Sequence, residues 1–485
     1  MDYLSLTFLV FLLAFLAVYY MLKPVYRYIA VFVGSYIFYG FANPKMLLVL
    51  AGITIVSYVG GLVIHKTGSH KAFTGFFFAE ILVLLVFKYT NFTIENINLL
   101  SEKTGLGRVL NINWDIALPI GLSFMVFQAC TYLSDVYRKN LKPERNLIRY
   151  GAFVAFFPTV LSGPIQKARN LLPQIKKPKP FNFTKAREGT ILFIWGAFEK
   201  IMVANKLSLI SNTVLGDHAN RSSAEILVGA VCFSLYIYAD FSSYSDMARG
   251  VSRILGLDVG KNFNNPYLSQ STAEFWNRWH ISLNEWFVEN VYIPLGGNRK
   301  GTIRKYLNMM VVFFISGLWH GAYWHFVAWG VLNGIFAVIG QIVKPFKQKA
   351  YKLAGLSEKA ESIVLIRRLI VFYLITLTWV FFTANIPDAC SICRKLIFFD
   401  YLSVFNPDLL TIAGSAVSTF MTAVATLVFC KVQIGRQDEE KISRVYCSQP
   451  FLLQCLPAAI MICICIFGAC ATDASVDTQF LYFQF

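Results

Sequence analysis

Apolar runs long enough to cross a bilayer recur along the whole chain, beginning near Leu4, Tyr28, Met46, Phe73, Ile191, Ala224, Tyr306, Trp324, Leu369, Ile412 and Phe451. Polar or basic connectors separate them, with no sequence repeat, heptad array or low-complexity tract. Shorter runs near Ile116 and Gly151 contain Pro119 and Pro158, which break helices, so these read as re-entrant or broken segments. The pattern predicts an all-α polytopic membrane protein with roughly 11 to 13 membrane segments. One run stands apart. Residues 306 to 343 are apolar over 38 positions, far beyond the ~20 that one crossing needs. With Gly317 and Gly321 around Leu318-Trp319-His320 and basic residues at both ends, the run predicts a hairpin whose legs both start on the cytoplasmic side. At ~1.5 Å per residue, His320 then lies roughly 20 Å along its leg. Tyr323 and Trp324, at i+3 and i+4, are expected to wall its imidazole, and His325 to point to another face.

Composition agrees with the pattern: 56% of the 485 residues are hydrophobic and only 15% charged, where soluble proteins carry about a quarter charged. The net charge of +17 sits mainly in connectors. Residues 167 to 187 hold seven basic and no acidic side chains, which marks a cytoplasmic loop. The stretches Arg299 to Lys305, Lys344 to Lys352 and Lys431 to Arg444 are assigned to the same side. This topological reading displaces nucleic-acid binding as an account of the charge. The first run follows Asp2 rather than basic residues and lacks a small-residue cleavage site, so it reads as a retained span. Charges flanking the first and last runs place both termini outside the cytoplasm. The ten cysteines lie mostly in apolar runs, where each acts as a small hydrophobe. Cys390 and Cys393 form a CxxC with no second pair or histidine to complete a zinc site, and no metal is expected.

Polar and aromatic chemistry concentrates between Leu118 and Gly334. Residues 271 to 305 read STAEFWNRWHISLNEWFVENVYIPLGGNRKGTIRK. A helix capped near Ser271 or Thr272, with Glu274 in its first turn, would put Trp276, Trp279 and His280 on one face at i, i+3, i+4. Asn277 and Arg278 belong to the same segment, with Arg278 turned toward loop or headgroups. The turn Gly296-Gly297-Asn298-Arg299-Lys300 is expected to expose main-chain N–H groups beside two cations, a cradle for phosphate. An ordinary basic connector explains it equally well. His320 carries the functional expectation, because an ionisable group deep in hydrocarbon costs free energy; a neutral imidazole satisfied by a carbonyl or Ser316 is the structural alternative. In residues 235 to 249, Asp240, Ser242, Ser243, Tyr244, Ser245 and Asp246 fit either a polar substrate path or a solvated helix end. Gln128, in an apolar context, reads as a helix–helix hydrogen bonder.

Together these segments resemble the membrane-bound O-acyltransferase (MBOAT) family, in particular the bacterial branch of alginate O-acetylation. LPIGLSFMVFQ, FFPTVLSGPIQKARNLLPQ, YADFSSYSDMARG, FWNRWHISL, VYIPLGGNRKG and SGLWHGAYWHFVAWG occur in order between Leu118 and Gly334. VYIPLGGNRKG favours this branch over teichoic-acid D-alanylation, which shares FWNRWH. Asn333, Thr383 and Ser243 stand where many relatives have His, Arg and Gly. The final FLYFQF resembles the F-x-Y-x-x-F ending found in this branch and in the small single-span companion protein of D-alanylation systems, where the tyrosine is proposed as a transient acyl carrier.

The resemblance implies an MBOAT fold with re-entrant helices around a central tunnel, over residues 1–450, followed by a C-terminal span and outer tail, 451–485. It implies catalytic roles for His320 and His280, and for Tyr482 as acyl carrier. Trp276, Asn277, Arg278, Trp279, Trp319, Tyr323, Trp324, Asp240, Ser242, Gly296, Gly297, Asn298, Arg299 and Lys300 are expected around the substrates. The implied activity moves an acyl group, acetyl first, from a cytoplasmic thioester such as acetyl-CoA to an extracellular polysaccharide. No bound cofactor is required. A plasma-membrane location and an SGNH-type esterase or transferase partner follow from the same likeness. D-alanyl transfer to teichoic acid is the alternative within the fold. A transporter without covalent chemistry is the rival class. It predicts paired intramembrane charges and inverted internal symmetry, neither of which is visible in the sequence.

Overall fold

The computed structural model describes all residues except 42, 112–117, 413, 437–445, 447, 471–479 and 482–485. The described residues are helical or irregular, with no strand among them. Two units are distinguished. The first comprises Met1–Thr190 and Met247–Gly260, the second Ile191–Asp246 and Lys261–Phe485.

In chain order the helices are α1 (Leu6–Met21), α2 (Arg27–Gly40), α3 (Leu47–Thr67), α4 (His70–Lys103), α5 (Leu122–Tyr137), α6 (Leu147–Val154), α7 (Ala168–Lys176) and α8 (Phe183–Phe198). They continue with α9 (Asn205–Gly216), α10 (Ser223–Ile254), α11 (Thr272–Arg278), α12 (Ile281–Phe287), α13 (Thr302–His320) and α14 (Trp324–Leu353). The last are α15 (Glu361–Thr383), α16 (Ile386–Ile397), α17 (Ala416–Gly435) and α18 (Phe451–Cys470). Among the described residues, six helical stretches are long and apolar enough to cross a membrane: Pro44–Thr67, His70–Lys103, Ser223–Ile254, Trp324–Leu353, Glu361–Thr383 and Val417–Gly435. That is fewer than the 11 to 13 membrane segments read from the apolar runs. Among the others, α1 and the central part of α18 are apolar but shorter. The run near Gly151 folds as the eight-residue α6 followed by a buried irregular segment through Pro158. The run near Ile116 lies largely outside the described residues.

In the first unit α5 is buried on every side from Leu122 to Val136, although it carries polar side chains as well as apolar ones. Three of its polar side chains are satisfied as follows. The Gln128 amide donates to the Phe153 carbonyl, as a helix–helix hydrogen bond. Thr131 Oγ1 donates to the Gln128 carbonyl at 2.7 Å and lies 3.1 Å from that of Gln166. Asp135 receives Arg169 Nη1 at 2.6 Å and the Arg169 main-chain N–H at 3.1 Å. The polar residues of two sequence motifs therefore hold α5 against α7 and its approach. Gly121 opens α5 at φ +75°, and a Cβ there would lie 2.4 Å from the Val160 carbonyl oxygen, so glycine is required on two counts.

In the second unit Trp279, Trp329 and Trp379 are fully buried at the centre of an aromatic core. The predicted hairpin is present as α13 and α14, joined by Gly321–Tyr323. A Cβ on Gly317 would meet the Phe326 carbonyl oxygen at 2.4 Å, and one on Gly330 the Phe313 carbonyl oxygen at 2.4 Å. Two glycines thus let the legs approach backbone to backbone, as small residues do between membrane helices.

Candidate active site

His320 is the last residue of α13 and sits buried at the turn of the hairpin. Along a helix starting at Thr302 this is about 27 Å from the first residue. Three rings enclose its imidazole at steep angles: Trp319 at 4.8 Å between centroids, Trp329 at 4.9 Å and Phe382 at 5.3 Å. Such a cage excludes water and limits ring rotation. The helix stops at His320, so the i+3, i+4 relation to Tyr323 and Trp324 does not hold. Those two side chains are 64% and 56% exposed, and beyond Trp319 of α13 the wall is built from α14 and α15 instead. His325 faces elsewhere, with Nδ1 3.0 Å from the Phe381 carbonyl oxygen and its ring stacked on Tyr323.

The Ser271 cap forms as expected: its Oγ accepts the Glu274 N–H at 3.1 Å, and Glu274 reaches back to the Gln270 N–H at 2.8 Å. The helix it starts is too short for the predicted common face. It ends at Arg278, and His280 takes a left-handed conformation (φ 43°, ψ 56°) that breaks α11 from α12. Such a backbone is uncommon for a residue with a Cβ and needs surroundings that hold it. Here Asn262 holds it. The Asn262 carbonyl accepts the Ile281 N–H at 2.9 Å, Oδ1 accepts Ser282 Oγ at 2.7 Å, and Nδ2 donates to Ser245 Oγ at 3.2 Å. The kink buries His280 against Phe241 at 4.6 Å and Trp319 at 6.0 Å. Trp319 therefore borders both histidines. Burial pushes the His280 imidazole down from 6.5 to about 3, so it is neutral at ordinary pH.

Trp276 packs on Phe313, Trp329 and Trp379, while Trp279 lies against Phe275 and Trp379. Trp329 and Trp379 are themselves stacked, at 5.5 Å. Asn333 donates to the Trp329 carbonyl at 2.8 Å and accepts Thr378 Oγ1 at 3.3 Å. It braces the cage. Arg278 pairs with Glu274 at 2.6 Å, and exposed Asn277 accepts from Asn284 at 3.4 Å.

In the basic turn part of the main chain is bonded internally. The N–H groups of Gly296, Gly297 and Arg299 already donate to the carbonyls of Ile293, Tyr292 and Gly296. Asn308 Nδ2 donates to the Gly297 carbonyl at 3.1 Å, and the Asn298 side chain bonds the Tyr292 hydroxyl. The side chains of Asn298, Arg299 and Lys300 are exposed, and the last two bring positive charge.

Asp240, Ser242, Ser243, Tyr244, Ser245 and Asp246 are all buried, which removes the solvated helix end. Asp240 Oδ1 receives Lys200 Nζ at 2.7 Å. Ser242 Oγ donates to Glu199 Oε2 at 2.8 Å, Gln433 Nε2 donates to Glu199 Oε1 at 2.6 Å, and Arg436 Nη2 donates to Asp246 Oδ1 at 3.0 Å. Glu199 and Lys200 begin a π-helical stretch, Glu199–Ala204, of a kind frequent at functional sites. Paired charges on a membrane-crossing helix are therefore present, although the sequence reading found none. Asp240 and its partners are 40 positions or more apart in the chain, so spacing gave no signal. Tyr482 lies outside the described residues; Phe480 and Leu481 just before it are described, and both pack in the second unit. No group of three or more His, Cys, Asp or Glu side chains able to hold a metal occurs among the described residues.

A buried histidine at the tip of a helical hairpin, caged by tryptophans beside a second buried histidine, is an arrangement suited to proton transfer away from water. A family model for MBOAT, the membrane-bound O-acyltransferase family, matches residues 81–385. The chain belongs to this family and is a multi-pass membrane acyltransferase. It is 33% identical to a probable alginate O-acetylase of Pseudomonas syringae pv. tomato, over 89% of this chain and 82% of that one. It is 30% identical to a peptidoglycan O-acetyltransferase of Helicobacter pylori, over 77% and 74%. A teichoic acid D-alanyltransferase of Bacillus subtilis is 26% identical over 47% of this chain and 60% of its own.

Proposed function

We propose that the protein takes an acetyl group from a cytoplasmic thioester and passes it across the plasma membrane for O-acetylation of an extracellular polysaccharide. The enclosure of His320 by Trp319, Trp329 and Phe382 carries this reading. His320 accepts the proton of an attacking hydroxyl as its oxygen adds to the thioester carbonyl. Collapse of the tetrahedral intermediate breaks the C–S bond, and the leaving thiolate takes that proton back. The hydroxyl belongs to Tyr482 as a transient carrier, or to the acceptor itself. His280, neutral and buried, orients the donor with Trp276, Trp279 and Trp319. Arg299 and Lys300 attract the phosphates of acetyl-CoA at the cytoplasmic face, with Arg278 and Asn277 nearby in sequence. An SGNH-type partner outside the membrane completes transfer. A polysaccharide acceptor is supported by the names of the alginate and peptidoglycan relatives.

The test is covalent. Membranes containing the protein are supplied with radiolabelled acetyl-CoA, and label on Tyr482 or on surface glycan is measured. Label that disappears in His320→Ala, with folded protein retained in the membrane, is the expected result. Labelling that persists in His320→Ala sinks the assignment of the base. Turnover supported by a D-alanyl carrier protein, and not by acetyl-CoA, assigns the chain to D-alanylation. Transport of substrate with no covalent label assigns it to the transporter class.

A further inference from the structure

We infer that Lys200 and Asp240 form a dock for the C-terminal segment of this same chain, fixing its main chain at the residue before Tyr482. Asp240 is 1% exposed and divides its two oxygens: Oδ1 receives Lys200 Nζ at 2.7 Å, and Oδ2 receives the main-chain N–H of Leu481 at 2.8 Å. The same Lys200 ammonium lies 4.6 Å from the centroid of the Phe480 ring, in cation–π range. Phe480, itself 1% exposed, stands edge-on to Tyr244 at 5.3 Å, and Leu481 packs on the aromatic core of the second unit. One ion pair thus grips two consecutive residues of the segment, by a ring face and by a main-chain donor.

The kind of contact determines what the dock can do. A hydrogen bond to a main-chain N–H is indifferent to side-chain identity and sensitive to position. A slip of one residue would remove Phe480 from the ammonium and offer a different N–H to the carboxylate. The pair therefore sets the register of the segment. Lys200 and Asp240 are positioning residues: what they hold is Phe480 and Leu481, the two residues before Tyr482 in the chain. The consequence for transfer rests on the reading of Tyr482 as acyl carrier; the docking does not.

The experiment is hydrogen–deuterium exchange of the full chain in nanodiscs, read on peptides covering residues 476–485. Leu481→Pro removes the donated N–H and leaves the ion pair in place; Leu481→Ala keeps the N–H. The expected result is a slowly exchanging wild-type segment, exchange at least about 10-fold faster in Leu481→Pro, and most of the protection kept in Leu481→Ala. Asp240→Ala and Asp240→Asn should loosen the same peptides in that order of severity, with α13 and α14 unchanged. Acetyl transfer should fall at least about 10-fold in Leu481→Pro. A wild-type segment that exchanges as fast as the Leu481→Pro segment overturns the dock. Normal transfer by Tyr482→Phe with the segment still protected removes the carrier and leaves the dock. An unprotected segment with an inactive Tyr482→Phe does the reverse.

Discussion

The imidazole of His320 and the indole of Trp329 cross at 86° with centroids 4.9 Å apart, and that indole is stacked on Trp379. The indole Nε1 of Trp329 has no hydrogen-bond partner within the protein among the described residues. What Trp329 contributes to its neighbours is therefore shape. Trp329→Ala should cost about 3–5 kcal/mol through the cavity it leaves and release one wall of the histidine. Trp329→Phe should keep the fold and lose transfer more than stability. Thermal unfolding in detergent alongside acetyl transfer in membranes measures both, and a Trp329→Phe enzyme of wild-type rate would show that the cage does not orient the base.

The His280 kink depends on Asn262, a residue that carries no reactive group. Asn262→Ala removes the bonds to Ser245 and Ser282 together. Such a loss costs about 1–3 kcal/mol when a buried polar group is left behind. Misplacing His280 should lower transfer on the order of tenfold to a hundredfold with His320 intact. A steady-state rate for Asn262→Ala at saturating donor gives the answer; an unchanged rate would deny His280 any role in the reaction geometry.

Lys200 and Asp240 are each only 1% exposed at the side chain. Lys200→Met alone leaves a buried carboxylate without its cation and should destabilise by about 3–5 kcal/mol. The double variant Lys200→Met/Asp240→Leu should recover most of that loss, because two apolar groups need no desolvated partner. A double-mutant cycle on melting temperature reads the coupling, and additive effects would mean that the pair is energetically idle.

Acid should weaken the fold through His280. Its folded value is depressed to about 3 from 6.5, so between those limits the unfolded chain binds a proton that the folded chain does not. Stability is then unaffected above pH 6.5 and falls as pH drops toward 3, by up to about 1.4 kcal/mol per unit. His280→Gln should lack this slope. Melting temperatures at pH 7.5, 6.0 and 4.5 test it, since parallel curves for the two proteins would place the acid sensitivity elsewhere.

The helical class, the hairpin tip at His320 and the Ser271 cap were legible because each rests on local signals: hydropathy, glycine spacing and cap chemistry. The breaks were not. Helix periodicity carried Trp276, Trp279 and His280 onto one face, but the left-handed His280 is imposed by Asn262 from outside the helix. Likewise Tyr323 and Trp324 are near His320 in sequence, while Trp329 and Phe382 reach it through packing between helices. Lys200 sat in a run read as a plain span, since a buried lysine is recognised only when its Asp240 is seen beside it. In the glycine-rich turn the sequence does not show that the N–H groups of Gly296, Gly297 and Arg299 are bonded to carbonyls of the same loop.

The Glu199 network also bears on how the chain is assembled during synthesis. Ser242, its first partner, follows 43 residues later, whereas Gln433 follows 234 residues later. At about 5–20 residues per second, Gln433 is made roughly 12 to 47 s after Glu199. Until α17 arrives, a carboxyl group destined for the interior lacks its amide donor, and Asp246 lacks Arg436. A nascent chain that ends before α17 thus holds Glu199 and Asp246 without Gln433 and Arg436, so the network closes only when the late helix packs against the earlier ones.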